Sequence, residues 1–206
     1  MNEMIEHYDA LVDEGNDPVR DPQPLKDYMD KWDGERFFES MCLDGTQSVL
    51  EIGVGTGRLA IRVAPHCGAL CGIDTSPKTI RRASDNLSCY SNVTLICEDF
   101  LSFEWTERFD VIYSSLTFMH IKDKRSAIQK ITSLLNDGGR LVLSIDKNQS
   151  EWIDMGTRRV KIYPDQPEDI CTCLVDAGLV LTDRFETDHA HVMAATKPSP
   201  AGEGFA

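Results

Sequence analysis

The chain has 206 residues, 41% of them hydrophobic, which is enough for one well-buried core or one domain with a small cap, and too few for two full domains. Its formal net charge of −13 argues against a polyanionic partner, because nucleic-acid binding relies on Lys and Arg neutralising phosphates. No apolar run approaches the roughly 20 residues of a membrane-spanning helix, and the acidic start Met1-Asn2-Glu3-Met4-Ile5-Glu6 lacks a secretion signal's basic and apolar stretches. The expectation is a cytoplasmic protein with neither a membrane nor a nucleic-acid partner.

Residues 1 to 45 read as a polar helical cap, broken at Pro18, Pro22, Pro24 and Gly34, with Tyr8, Tyr28, Trp32, Phe37 and Phe38 set among acids. From residue 48 short Val/Ile/Leu runs alternate with helical stretches, the pattern of βαβ units and a parallel sheet. Strands are predicted at 48 to 52, 69 to 73, 93 to 97, 111 to 114 and 140 to 145, and their continuous apolar character fits burial on both faces. Ser76-Pro77 reads as a helix N-cap with Pro at the first helical position, and Asp137-Gly138-Gly139 as a helix stop running into a strand. A helix at 168 to 177 is closed by Gly178. Two last strands, at 179 to 186 and 190 to 196, flank the short Thr187-Asp188-His189 connection, so the final one must run antiparallel. The predicted layout is a cap over 1–45, a single α/β domain over 46–197 with six parallel strands and one antiparallel, and a disordered Pro/Ser/Gly tail over 198–206.

Seven Cys form no C-x-x-C pair and have no His at finger-like spacing, so they read as reduced and structural, and no metal site is expected. His7, His189 and His191 read as surface or strand residues. The basic clusters Arg81-Arg82, Lys122 with Lys124-Arg125, and Arg158-Arg159 read as solvated surface.

The segment Val49-Leu50-Glu51-Ile52-Gly53-Val54-Gly55-Thr56-Gly57 carries the chemistry. A strand followed by close-spaced glycines and a helix brings backbone N–H groups against an anionic ligand, which only residues without a Cβ allow so closely. This loop alone fits two cofactors, because Gly55-Thr56-Gly57-Arg58-Leu59-Ala60 also satisfies G-x-G-x-x-A, with Asp74 where a dinucleotide site keeps its ribose acid. Glu51, two residues before Gly53, and Asp99, after the third strand, are not required by a nicotinamide fingerprint, and the terminal hairpin is not typical of it.

With those features together the chain resembles the class I S-adenosylmethionine-dependent methyltransferases from 48 to 196. The glycine segment resembles their first motif, Gly72-Ile73-Asp74-Thr75-Ser76 the second and Glu98-Asp99-Phe100 the third. Phe109-Asp110-Val111-Ile112-Tyr113-Ser114 resembles the fourth, and the run from Leu134 through Asp137-Gly138-Gly139 to Leu143 the fifth. The resemblance implies a Rossmann-like three-layer sandwich and S-adenosylmethionine as cofactor, with S-adenosylhomocysteine as product. It implies that Gly53, Gly55 and Gly57 admit the methionine part, that Glu51 organises its amino-acid end, and that Ser114 lies by its amino group. Asp74 would accept both ribose hydroxyls, and Asp99 the adenine amino group, with Ile73 and Phe100 against the ring.

His120, just beyond the fourth strand, is the candidate general base, and Tyr8 the candidate residue covering the methionine end. The acceptor is expected to be a small molecule, since no appended recognition domain or Asn-Pro-Pro-Tyr type signature is present. Two other readings stay open here: a non-catalytic cofactor-binding sensor, and an NAD(P)-dependent oxidoreductase.

Overall fold

The computed structural model describes residues 3–199, so the predicted tail lies outside the described residues from residue 200 onward. The cap contains α1 (Glu3–Asp13), α2 (Gln23–Met29) and α3 (Gly34–Glu39). There follow β1 (Ser48–Ile52), α4 (Ala60–Val63), β2 (Ala69–Asp74), α5 (Pro77–Asn86), β3 (Val93–Cys97) and β4 (Phe109–Ser115). After these come α6 (Lys124–Leu134), β5 (Leu135–Asp146), β6 (Trp152–Asp154), β7 (Arg159–Lys161), α7 (Pro167–Asp176), β8 (Val180–Glu186) and β9 (Ala190–Thr196).

Seven strands form one sheet in the order β3-β2-β1-β4-β5-β9-β8, with β9 antiparallel to both of its neighbours and every other pairing parallel. The central strands β1, β4 and β9 are largely apolar because both faces are covered, whereas β8 at the edge alternates half-buried and exposed residues. Leu50, Ile52, Ile112, Leu141 and Leu143 pack on one face with α6 and α7, whereas Val49, Val111, Tyr113 and Val142 pack on the other with α3, α4 and α5. The chain runs outward from β1 through β2 to β3 and returns on the opposite side at β4, so the carboxyl ends of β1 and β4 mark the switch point where such sheets bind ligands. Among the described residues no helix is long and apolar enough to cross a membrane.

Local signals act largely as the sequence suggests. Ser76 Oγ accepts from Thr79 N–H and caps α5, with Pro77 at its first position. Helix α6 stops at Leu134, three residues before Asp137, and β5 starts at once, with a register shift against β4 that absorbs the Gly138-Gly139 turn. The β6–β7 hairpin was not predicted. Its three-residue strands carry too few apolar positions to show a period, and only Val160 is buried.

The cap is not uniform. Phe37 and Met41 are 0% and 1% exposed and sit in the same core cluster as Val49 and Tyr113, so α3 is built into the domain. Helix α1 instead lies across the start of α5, where Asp9 accepts from Ser76 Oγ at 2.7 Å and from Lys78 N–H at 3.1 Å. Arg158, from the turn between β6 and β7, forks onto Glu14 and donates to His7 Nδ1 at 3.1 Å. Neither residue is the free surface group expected: His7 is buried and Arg158 clasps α1. Lys124 likewise turns inward to Asp165 and to the carbonyls of Phe118 and Tyr163. Phe37→Ala is expected to cost about 3 kcal/mol by urea unfolding, the usual scale for emptying a core aromatic site. A loss under about 1 kcal/mol would mean that α3 is a detachable cap.

Candidate functional site

The glycine loop takes its shape from three residues with positive φ, Gly53 (+78°), Gly55 (+56°) and Gly57 (+95°), a region that residues with a Cβ rarely adopt. Two of them do different work. A Cβ on Gly53 would lie 1.9 Å from Thr117 Oγ1, so this glycine lets the segment after β4 close over the loop; a Cβ on Gly55 would meet nothing within 4 Å. Gly57 lines neither cavity described below, and packs under Leu87 instead.

Asp74, at the end of β2, binds the loop from below. Its Oδ2 accepts Gly55 N–H and its Oδ1 accepts Ser76 N–H, both at 3.0 Å, so one carboxylate fixes the glycine loop against the start of α5. Burial pushes this carboxyl up, against the pull of those backbone donors. Glu51 is 3% exposed and accepts Tyr113 Oη–H at 2.7 Å; burial pushes it up to about 8. Asp33, fully buried before α3, accepts from Arg58 at 2.5 Å and from Ser115 Oγ.

Two cavities meet at the switch point and share Tyr8, Gly53, Thr117 and His120. The smaller, about 90 Å³, is bounded by Ile73, Asp99 and Phe100. The larger, about 450 Å³, is bounded by Glu51, Gly55, Arg58 and Ser115 from the domain and by Leu11, Val12, Leu25, Tyr28 and Met29 from the cap. Where they join, Tyr8 Oη and His120 Nε2 are hydrogen-bonded at 2.7 Å with the rings edge to face. Among the described residues His120 Nδ1 is buried without a hydrogen-bond partner. Burial, with smaller contributions from His7 and Lys124, holds this imidazole down at about 4, while burial and Asp74 push the Tyr8 hydroxyl well up. The turn carrying His120 is fixed from behind, because Tyr163 N–H donates to Met119 O at 2.7 Å and Lys124 grips the Phe118 carbonyl.

The residues singled out in the sequence thus converge on one cleft, except that Gly57, Asp74 and Ser114 line neither cavity. Ser114 is fully buried and donates to Ile52 O at 2.9 Å. Strand alternation puts Ser115, on the Tyr113 side of β4, into the larger cavity instead. Sequence reasoning also missed Asp33, Arg58 and Thr117. The first two become legible only as a pair across 25 residues of chain. Among the described residues no group of three or more His, Cys, Asp or Glu could hold a metal ion.

Comparison with known proteins agrees with the fold. A family model described as a methyltransferase domain matches residues 43–186. An uncharacterized methyltransferase of Anoxybacillus flavithermus is 35% identical over 57% of this chain and 56% of its own length, so the chain spans little more than half of that relative. Among solved structures, N-methyltransferase NodS from Bradyrhizobium japonicum WM9 in complex with S-adenosyl-L-homocysteine is similar at a TM-score of 0.65. It is 25% identical, with 80% of this chain and 87% of that chain covered. The [4+2]-cyclase SpnF shares the fold at a TM-score of 0.68 and 20% identity, covering 81% of this chain and 80% of its own. The matched region includes the glycine loop, Asp74, Asp99 and His120, and the chain belongs to the methyltransferase-domain family.

Proposed function

We propose that the protein is a cytoplasmic S-adenosylmethionine-dependent methyltransferase acting on a small-molecule acceptor. The carrying observation is the pair of cavities joined at Gly53, Tyr8 and His120, a narrow apolar one ending at Asp99 and a wider one beside Glu51. The residues present fit the cofactor. Gly55 leaves open space where a side chain would stand; Glu51 and Asp99 line the cleft and Asp74 stands behind the glycine loop, three acids for a ligand rich in N–H and O–H donors. Asp99 already accepts Ser102 N–H with Oδ1, which leaves Oδ2 for an adenine amino group, with Ile73 and Phe100 as apolar walls. Asp74 accepts one backbone N–H per oxygen, and each oxygen keeps a second lone pair for a ribose hydroxyl. Glu51 faces the larger cavity, where an ammonium group would lie.

When bound, S-adenosylmethionine supplies an electrophilic methyl group on a sulfonium. The chain's own part is alignment, exclusion of water by the cap and acceptance of one proton. In the tautomer with the His120 proton on Nδ1, Tyr8 donates to His120 Nε2 and the pair can relay: the hydroxyl oxygen takes the acceptor's proton as its own passes to the imidazole. A weak base suffices, because the acceptor atom acidifies as it gains the methyl group. The larger cavity falls within the roughly 300–1,000 Å³ range of small-molecule sites, and its apolar walls suit an acceptor with a hydrocarbon body. Likeness to an N-methyltransferase favours nitrogen as the acceptor atom.

The test is a screen of small amines, phenols and thiols for S-adenosylhomocysteine release, run beside a thermal-shift comparison of S-adenosylhomocysteine with NADH and NADPH. Release dependent on an amine is the expected result. Selective stabilisation by a nicotinamide nucleotide would instead indicate an oxidoreductase, and cofactor binding without turnover a sensor.

A further inference from the structure

Tyr113 and Glu51 are register partners on β4 and β1 and point to the same face of the sheet. Both are buried, at 0% and 3% exposure, and the Tyr113 hydroxyl donates to Glu51 Oε2 at 2.7 Å. The Tyr113 ring is held edge to face by Phe37 of α3, with centroids 6.2 Å apart. Phenylalanine would pack on that face as well, so the hydroxyl is explained by the carboxyl it serves. Among the described residues Glu51 Oε1 has no hydrogen-bond partner, and Glu51 lines the larger cavity. The pair is therefore built to fix one oxygen and present the other.

The charges around Glu51 come from three further elements. Arg58, following the glycine loop, favours its ionised form, whereas Asp33 from the cap and Asp74 from β2 oppose it. Arg58 is committed to Asp33 by a close ion pair, which reduces what it can offer Glu51. With burial added, the carboxyl is held up at about 8 and keeps its proton at neutral pH. A cation placed against Oε1 changes that balance.

We propose that Tyr113 is a positioning residue that fixes Glu51 as the proton-releasing acceptor of the cofactor's ammonium group, so that each cofactor bound near neutral pH expels one proton from Glu51 to solvent. The balance is simple. The ammonium enters intact, the Glu51 O–H bond breaks, its proton goes to water, and the new carboxylate is held by the Tyr113 hydroxyl and the ligand. This rests on the assignment of S-adenosylmethionine to the cleft.

The experiment is titration calorimetry with S-adenosylhomocysteine at pH 7 in buffers of different ionisation enthalpy, repeated from pH 6 to 8.5. In the wild type about one proton is released per ligand, and affinity rises roughly tenfold per pH unit until it levels near pH 8. Tyr113→Phe keeps the ring but removes the donor that favours the charged form. Its affinity at pH 7 should fall about tenfold, with the rise displaced to higher pH. Glu51→Gln should release no proton and show a flat profile, which tests the idea even where Tyr113→Phe folds poorly. Binding with no proton release, or a Tyr113→Phe profile that matches the wild type despite a lowered Tm, overturns the proposal. Absence of S-adenosylhomocysteine binding at every pH overturns the cofactor assignment and this inference with it.

Discussion

Asp74→Ala is expected to weaken S-adenosylhomocysteine binding about a thousand-fold, roughly 4 kcal/mol, while the protein stays folded. Hydrogen bonds to a charged group contribute about 1.5–3 kcal/mol each, and this carboxylate has a spare lone pair on each oxygen for two adjacent hydroxyls. The same substitution frees Gly55 N–H and Ser76 N–H, so the glycine loop loses its tie to α5. A stability loss of about 1–2 kcal/mol should accompany the binding loss. Asp74→Asn separates the two effects: its amide oxygen still accepts one backbone donor, but its NH₂ group meets another donor and carries no charge. Calorimetry decides the matter, and an affinity for Asp74→Ala within threefold of wild type would remove Asp74 from the cofactor site.

His120→Ala is expected to lower kcat by about 10²–10⁴-fold, the range for a lost general base, with S-adenosylhomocysteine affinity changed only a few-fold. Held near 4 by burial, His120 is neutral above that pH, so kcat/KM for the acceptor, measured at saturating S-adenosylmethionine between pH 5 and 8, should show no acid limb near the ordinary imidazole value of 6.5. As pH falls through about 4 the imidazole takes up a proton and the limb appears. Tyr8→Phe should reproduce part of the loss, since it breaks the relay while leaving the base. Wild-type turnover in His120→Ala would exclude an essential base, and alignment alone would then have to carry the reaction.

The central strands were legible because burial on both faces leaves them with apolar runs, and the glycine loop because positive φ demands residues without a Cβ at Gly53 and Gly55. Other features depend on partners distant in sequence. Burial of His7 follows from Arg158, 151 residues away, and the inward turn of Lys124 from Asp165. The choice between Ser114 and Ser115 depended on one step of strand alternation, which no local propensity fixes until the pairing of β1 with β4 is known. The β6–β7 hairpin left no trace because its strands are short and mostly exposed.

The two halves of the cleft are fastened in different ways. Glu51, Gly55, Asp74 and Asp99 stand on or beside strands whose loss would unfold the domain, whereas Leu11 and Val12 are presented by a helix fastened largely by side chains, Arg158 to Glu14, Lys78 to Asp13 and Asp9 to Ser76. Surface ion pairs of this kind contribute little to folding. Substitutions in α1 can therefore reshape the chamber wall with little penalty to the sheet, so under the proposed function the range of accepted molecules can diversify in this helix while the donor end of the reaction stays the same.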